Sequence, residues 1–311
     1  MISTIVCTYN RADLLRDVLQ TLCEQTLPKS EYEIIIIDNN SHDHTQTVAH
    51  EFCQRYPNIR YAVEMKIGLS HCRNHGWKIA KGEYIAYTDD DCKNPSHWLT
   101  LAKKIIDEVH PASFGGPFYP FYNSPRPKWF KTNYGSGVVS TTPRPLVGEE
   151  QISGMNNFYR RSILLDLGGF NPNLGMTGNA IAYGEETDLI RRIRAEKPAE
   201  VIYYHPDLYV YHLVRHEKMM LWWNMRMWFS GAWTTYLALR GESIPQLSYF
   251  QILKQSIYWL FIFGFDVLKG AVWRDRQQYP YWQNYLYEHS FRYLKWLGRL
   301  YGQFKRKFSR V

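Results

Sequence analysis

The sequence predicts an α/β protein: a mostly parallel sheet flanked by helices, followed by a helical region rich in aromatic and basic residues. Three observations carry this. Short apolar runs at 2–8 (ISTIVCT), 33–38 (EIIIID) and 83–88 (EYIAYT) show little alternation, as strands buried on both faces do. Segments of helical periodicity separate them, giving a βαβαβ order that implies right-handed crossovers and a ligand crevice beyond the carboxyl ends of the strands. Finally, residues 212–311 carry 15 Lys and Arg against 5 Asp and Glu, with 25 of the 50 aromatic residues and eight of the eleven tryptophans. A near-neutral body of 1–214 and a basic, aromatic region of 215–311 are two parts with two tasks.

The first strand leads into Thr8-Tyr9-Asn10-Arg11. Asn10 suits an N-cap, with Asp13 at the third helical position and Leu14, Leu15, Val18, Leu19 and Leu22 at helical spacing behind it. A second helix fits 43–55 on Val48, Ala49 and Phe52, and a third fits 70–80 before Gly82. After the strand at 83–88 come Asp89-Asp90-Asp91, and Asn94-Pro95 opens the next helix, proline being tolerated in a first turn. Residues 111–145 contain seven of the fifteen prolines and read as a long irregular loop near the site. Periodic structure resumes at 152–168, continues as a helix over 185–197 (Leu189, Ile190, Ile193), and is followed by a strand over 200–211. From about 215 the pattern is helical.

The 311 residues, 45% hydrophobic and 21% charged, exclude a disordered or collagen-like chain and allow a sizeable core. Five cysteines, all in the first third, form no CxxC pair, which argues against a disulfide scaffold or zinc ribbon and suits a reducing compartment. The N-terminus enters a strand without a basic segment and cleavage site, so a cytoplasmic location is expected.

The polar residues of the body gather at strand ends. Asp89, Asp90 and Asp91 there repel one another and lose hydration, so they need a compensating cation; oxygen ligands suit Mg²⁺ or Mn²⁺. Asp38, before Asn39-Asn40-Ser41, either accepts a hydrogen bond from a base imide or ribose hydroxyl or simply ends the strand in an Asx turn. Glu185 and Glu186 sit at a helix N-terminus, where the dipole favours carboxylates. Behind a glycine-rich stretch from Gly168 to Gly178 they are also candidates for a general base. His71 with His75, and His212 with His216, have i,i+4 spacing, and His212 ends the last strand of the body. No GxGxxG follows the first strand, and no P-loop, GxSxG or HExxH occurs, which disfavours dinucleotide oxidoreductases and the common NTPases, hydrolases and zinc proteases.

Together Val6-Cys7-Thr8-Tyr9-Asn10-Arg11, Ile37-Asp38-Asn39-Asn40-Ser41-x-Asp43, Gly68-Leu69-Ser70-x-x-Arg73-Asn74-x-Gly76, Asp89-Asp90-Asp91, Gly168-Gly169-Phe170 and Glu185-Glu186-x-Asp188 occur in the order of family 2 glycosyltransferases. The chain resembles that family over roughly 1–215. The resemblance implies a GT-A fold, Rossmann-like, and inverting transfer from a nucleotide-diphosphate sugar, UDP being the commonest carrier in the family. It implies that Thr8, Tyr9, Arg11, Asp38 and Arg73 line the nucleotide pocket with Asp90, that Asp89 faces the ribose, and that Asp91 holds the metal bridging the diphosphate. Glu186 occupies the base position, where many members carry Asp in a Glu-Asp pair; which of Glu185 and Glu186 points at the acceptor stays open. His212 resembles the late metal-ligand histidine of some GT-A enzymes.

In the C-terminal region the segments 219–239 and 249–268 are the most apolar, but the longest charge-free run of the second, 255–265, falls short of the roughly 20 residues that span a bilayer. Trp and Tyr mixed with Lys and Arg are what interfacial helices use against anionic lipid. The expected partners are therefore a nucleotide-sugar donor, a glycan or lipid-linked acceptor and the cytoplasmic face of a membrane; a helical subdomain packed on the enzyme or on a second copy in a homo-oligomer is the other reading. No nucleic-acid module accompanies the basic region. The rival functions are a sugar nucleotidyltransferase, which would release pyrophosphate, and a non-catalytic glycan-binding protein on the same fold.

Overall fold

The structure, a computed structural model, describes residues 1–178, 182–238 and 246–308. The chain forms two compact units. The first comprises Met1–Phe121, Gly135–Asn173 and Asp188–Leu213. In chain order its elements begin β1 (Ile2–Thr8), α1 (Ala12–Cys23), β2 (Tyr32–Asp38), α2 (Thr45–Arg55), β3 (Ile59–Val63), α3 (Leu69–Ile79), β4 (Tyr84–Asp89), β5 (Cys92–Lys93) and α4 (Trp98–Val109). There follow β6 (Ser113–Gly115), β7 (Phe118–Phe121), β8 (Arg144–Pro145), β9 (Asn156–Arg160), α5 (Arg161–Leu167), α6 (Glu185–Glu196), whose first turn falls in the other unit, β10 (Ile202–Tyr204) and β11 (Val210–Leu213).

An eight-stranded sheet runs in the order β3-β2-β1-β4-β9-β6-β10-β8, and β5-β11-β7 form a smaller one. β3, β2, β1 and β4 are parallel, while β9 runs antiparallel to both of its neighbours. The central strands are buried on both faces, as their unbroken apolar runs require. Ile34 and Ile36 of β2 join one core, with Leu15, Leu19 and Trp98; Ile35 and Ile37 join the other, with Cys72, Trp77 and Ile190. Chain order reverses between β1 and β4, and that reversal opens a crevice at their carboxyl ends.

Several sequence expectations are corrected. Asn10 is not the N-cap of α1: it takes a left-handed conformation (φ 53°), and its Oδ1 accepts the His42 N–H at 2.7 Å. The helix begins at Ala12, whose N–H donates to Asp43 Oδ2 (3.1 Å), so the cap comes from the loop after β2. Pro95 precedes α4 rather than opening it. β3 escaped notice because it is short and only its first residue is buried. The 111–145 segment contains three short strands. The expected strand over 200–211 is two strands in two sheets, broken at His205-Pro206-Asp207, where Leu208 N–H turns back to the His205 carbonyl (3.2 Å). Proline there has no N–H to give to a ladder.

The second unit comprises Tyr122–Tyr134, Leu174–Thr187 and the chain from Val214 onward. It contains α7 (Leu221–Ala238), α8 (Tyr249–Trp273), α9 (Trp282–Tyr285), a π-helical stretch (Leu286–Ser290) and α10 (Arg292–Phe308). Phe291, Leu294 and Leu297 form its core with Tyr285 and Leu286. α8, 25 residues long, is sufficient in length and composition to cross a membrane, although its longest charge-free run is 255–265.

Gly76 shows how tightly α3 meets β1. A Cβ there would lie 2.7 Å from Ile5 Cγ2, so a larger residue fits only if the Ile5 side chain or the helix shifts. Gly76→Val is expected to cost about 1–3 kcal/mol of stability through overpacking, read as a lowered urea midpoint. An unchanged midpoint would show that α3 can withdraw freely.

Candidate active site

The first unit brings most of the expected residues to one place. The parallel register sets Thr8 beside Asp38 and Cys7 beside Asp89, so the turns after β1, β2 and β4 meet at the crevice. Asp90, the middle carboxylate, is buried and holds this corner. Its Oδ1 accepts from Arg11 Nη1 at 2.7 Å and its Oδ2 from Thr8 Oγ1 at 2.9 Å. Burial, aided by the charge of Asp91, pushes the Asp90 carboxyl up to about 6 against the opposing pull of Arg11 and Thr8. The Arg11 guanidinium is raised in turn, chiefly by Asp90. Thr8 and Arg11 therefore organise the strand ends through Asp90. Tyr9 is half-buried in the turn that follows β1.

Asp91 and His212 are brought together by strand pairing. β11 lies antiparallel to β5 with His212 opposite Cys92, and Leu213 N–H donates to the Asp91 carbonyl (2.9 Å). His212 Nε2 then stands 3.3 Å from Asp91 Oδ1. Asp89 completes a group: one donor atom from each of Asp89, Asp91 and His212 lies within 4.8 Å of the others. Two carboxylates and an imidazole at that separation suit a divalent cation, the carboxylates favouring Mg²⁺ or Mn²⁺ and the imidazole favouring Mn²⁺ of the two. Asp89 is thus placed to ligate, a role the sequence reading reserved for Asp91 and His212.

Asp38 makes the Asx turn foreseen as one of its two readings. Its Oδ1 accepts the Ser41 N–H at 2.9 Å. Its Oδ2 accepts from the Tyr61 hydroxyl at 2.8 Å, and burial with the Asp38 charge raises the Tyr61 phenol, which stays a donor. Asn39 ties down the loop before α3, donating to the Glu64 and Lys66 carbonyls and accepting the Gly68 N–H at 2.8 Å.

Arg73, on α3, is buried with its guanidinium over the rings of Tyr87 (5.7 Å) and Phe170 (5.3 Å) and 3.9 Å from Asp89 Oδ1. It is held there by residues whose roles the sequence reading did not assign. Asn74 donates to the Phe170 carbonyl at 2.7 Å and accepts the Phe170 N–H at 2.9 Å. Gly169 has φ 72°, and a Cβ on it would sit 2.4 Å from Asn74 Oδ1. Arg192 donates to the Gly169 and Leu167 carbonyls and to Asp188 Oδ2 (2.8 Å). The motifs 73–76, 168–170 and Asp188 are therefore one interlocked device that aims Arg73; only their joint occurrence in the sequence hinted at it.

Glu185 and Glu186 belong to the second unit, in the first turn of α6. Glu185 is buried and Glu186 half-buried. The preceding Tyr183 is fastened to α7, its N–H donating to Thr234 Oγ1 at 3.2 Å. Its phenol is pushed up to about 12 by burial and then by the two glutamates, so Tyr183 stays a neutral donor beside them.

The family signature "Glycosyl transferase family 2" matches residues 3–168. The chain belongs to that family, and its fold is of the GT-A type. The glycosyltransferase AglE of Haloferax volcanii is 28% identical over 181 residues, covering 58% of this chain and 59% of that protein. The glucosyl-dolichyl phosphate glucuronosyltransferase of the same organism is 23% identical over 238 residues, 74% of this chain and 75% of that one. Among solved structures, the mannosyltransferase PcManGT from Pyrobaculum calidifontis, in complex with GDP-Man and Mn²⁺, superposes with a TM-score of 0.63 at 16% identity, covering 99% of this chain and 86% of that one. S. aureus TarS 1-349 with UDP-GlcNAc gives 0.56 at 18% identity, covering 99% and 92%. Both share the fold.

Asp90→Ala strands Arg11 and Thr8, and is expected to cost about 2–4 kcal/mol, below a fully buried pair because Arg11 is a third exposed. Asp91→Asn and His212→Ala are expected to weaken Mn²⁺ binding by on the order of tenfold or more each, read by titration calorimetry. Unchanged affinity in both would remove the metal group.

Proposed function

We propose that the chain transfers a sugar, with inversion, from a nucleotide-diphosphate sugar, a UDP-sugar foremost, to a hydroxyl of a glycan or lipid-linked acceptor. The observation that carries this reading is the group of Asp89, Asp91 and His212 at the crevice where the sheet's chain order reverses. These three residues would hold Mn²⁺ or Mg²⁺. A divalent ion there supplies Lewis-acid neutralisation of the departing diphosphate. That PcManGT was captured with GDP-Man and Mn²⁺ supports the assignment.

The remaining roles fall to the chain's own side chains. Asp38 and Tyr61, bonded to each other, border the base end of the donor, and Arg73 offers a buried cation beside Asp89. Thr8 and Arg11 act through Asp90, keeping the carboxylate turn in place; Tyr9 flanks the donor. Glu186 takes the acceptor hydroxyl's proton as the oxygen attacks the face opposite the leaving group. Its partial exposure supports it over the buried Glu185. A single displacement needs no covalent nucleophile. The basic, aromatic second unit brings the enzyme to the cytoplasmic face of a membrane. A nucleotidyltransferase would usually place a basic glycine-rich loop after β1, where this chain offers only Arg11.

Melting of the full chain with UDP, GDP, CDP, dTDP or ADP, each with and without Mn²⁺, tests the donor site, since a ligand of the folded state raises the midpoint by mass action. One nucleoside diphosphate is expected to act only with the metal. Glu186→Gln should keep that shift and lose roughly 10²–10⁴-fold in transfer. Near wild-type turnover in this variant would overturn the base assignment, and release of pyrophosphate instead of a nucleoside diphosphate would overturn the reaction.

A further inference from the structure

α8 has two opposite faces. Inward, Ile252 is buried, Trp259 lies flat on Trp296 of α10 (ring centroids 5.4 Å, planes 4° apart), and Asp266 is buried in a polar node. The Asp266 carboxylate accepts from Ser290 Oγ (2.7 Å) and the Tyr285 hydroxyl (3.0 Å), and meets His289 Nδ1 at 3.1 Å. Outward, Phe250, Leu253, Ile257, Phe261, Leu268 and Val272 recur at helical spacing with 75, 59, 61, 71, 69 and 64% of their surface exposed. Contiguous apolar surface on this scale marks an interaction site rather than ordinary surface.

Charge indicates what covers it. Exposed Lys254 stands within the stripe near its start, exposed Lys269 at its margin, and exposed Arg276 just beyond its end. At the N-terminal end α10 adds more: Lys307 lies over the Tyr249 ring at 5.0 Å, next to Lys305 and Arg306. Lys254 can snorkel, its stem along the apolar surface and its ammonium at headgroup level. A two-fold pairing with a second copy would instead set two such cationic faces against each other. An anionic lipid surface satisfies the apolar stripe and the cations at once.

We infer that α8 lies in the plane of an anionic membrane surface, its 250–272 stripe among the headgroups and upper acyl chains, and does not cross the bilayer. Crossing would pull Asp266 away from Tyr285, Ser290 and His289 into hydrocarbon, where a lone carboxylate is costly. The inference rests on the membrane location proposed above and identifies the surface that makes it. It also places the bilayer contact on the same unit as Glu185 and Glu186, which favours an acceptor held in the membrane.

The test uses the purified full chain with preformed vesicles, either pure phosphatidylcholine or a mixture with phosphatidylglycerol, sedimented and then washed with alkaline carbonate. Wild type is expected to pellet with the anionic vesicles, to bind them at least tenfold more tightly than the neutral ones, and to be released by carbonate. Phe261→Asp and Leu268→Asp, both at exposed positions, should each lower binding by at least tenfold while keeping the wild-type melting point and its nucleotide-plus-Mn²⁺ shift. Retained pelleting of both variants would assign the contact to another surface, and carbonate-resistant wild type would make α8 a spanning helix. Failure of wild type to bind any vesicle, with a dimer in solution that Phe261→Asp dissociates, would give the stripe to a second copy. Each of these overturns the inference. Loss of the nucleotide shift in wild type would instead count against the donor site and leave the vesicle result standing.

Discussion

Three neighbouring carboxylates at the end of a buried strand are the constraint around which the first unit is arranged. Asp90 and Asp91 are buried and Asp89 keeps 35% of its side chain exposed, so the crowded charges need separate answers. Asp90 is answered from within, by Arg11 and Thr8 of the turn after β1. Asp91 and Asp89 face His212 and, in Asp89's case, the guanidinium of Arg73. In this division Asp89 and Asp91 join His212 in one group of possible ligands, while Asp90 anchors the turn that presents them. The same split explains why the middle residue, the most deeply committed of the three, is pushed toward neutrality by burial.

The supports are long-range in sequence and short in space. His212 arrives beside Asp91 only because β11 pairs with β5, and Arg73 is aimed by a clasp that joins α3, the Gly168-Gly169 turn and α6. Glycine is required where that clasp closes, since Gly169 combines positive φ with contact against Asn74 and Trp77. The second unit applies comparable economy to different ends. It carries the candidate base at the start of α6, fastens Tyr183, two residues before that helix, to α7, and presents a helix whose outer face is apolar and whose inner face hides a carboxylate.

Much of the first unit was legible in the residues. Runs such as ISTIVCT and EIIIID have the look of strands covered on both sides, and helical periodicity between them left few topologies. Local signals misled where a distant group took over a local task. Asn10 looked like an N-cap, yet Asp43 caps α1 from another loop and Asn10 serves the chain at His42. The 200–211 run has continuous β-propensity but is divided between two sheets by Pro206 and its turn. β3, a five-residue strand buried only at Ile59, has too little apolar pattern to announce itself.

Composition and order alone determined the fold class, the gathering of Asp38, Asp89–Asp91 and the Thr8–Arg11 turn at strand ends, and the contrast between a near-neutral body and a basic, aromatic C-terminal region. These depend on periodicity and residue chemistry, which are local. Tertiary structure alone decided which carboxylate would be spent on structure, that Asp89 joins Asp91 and His212, that Asn74 and Arg192 aim Arg73, and which face of α8 is left uncovered. Those outcomes are set by strand register and helix packing between residues tens to more than a hundred positions apart, and no spacing within a single segment encodes them.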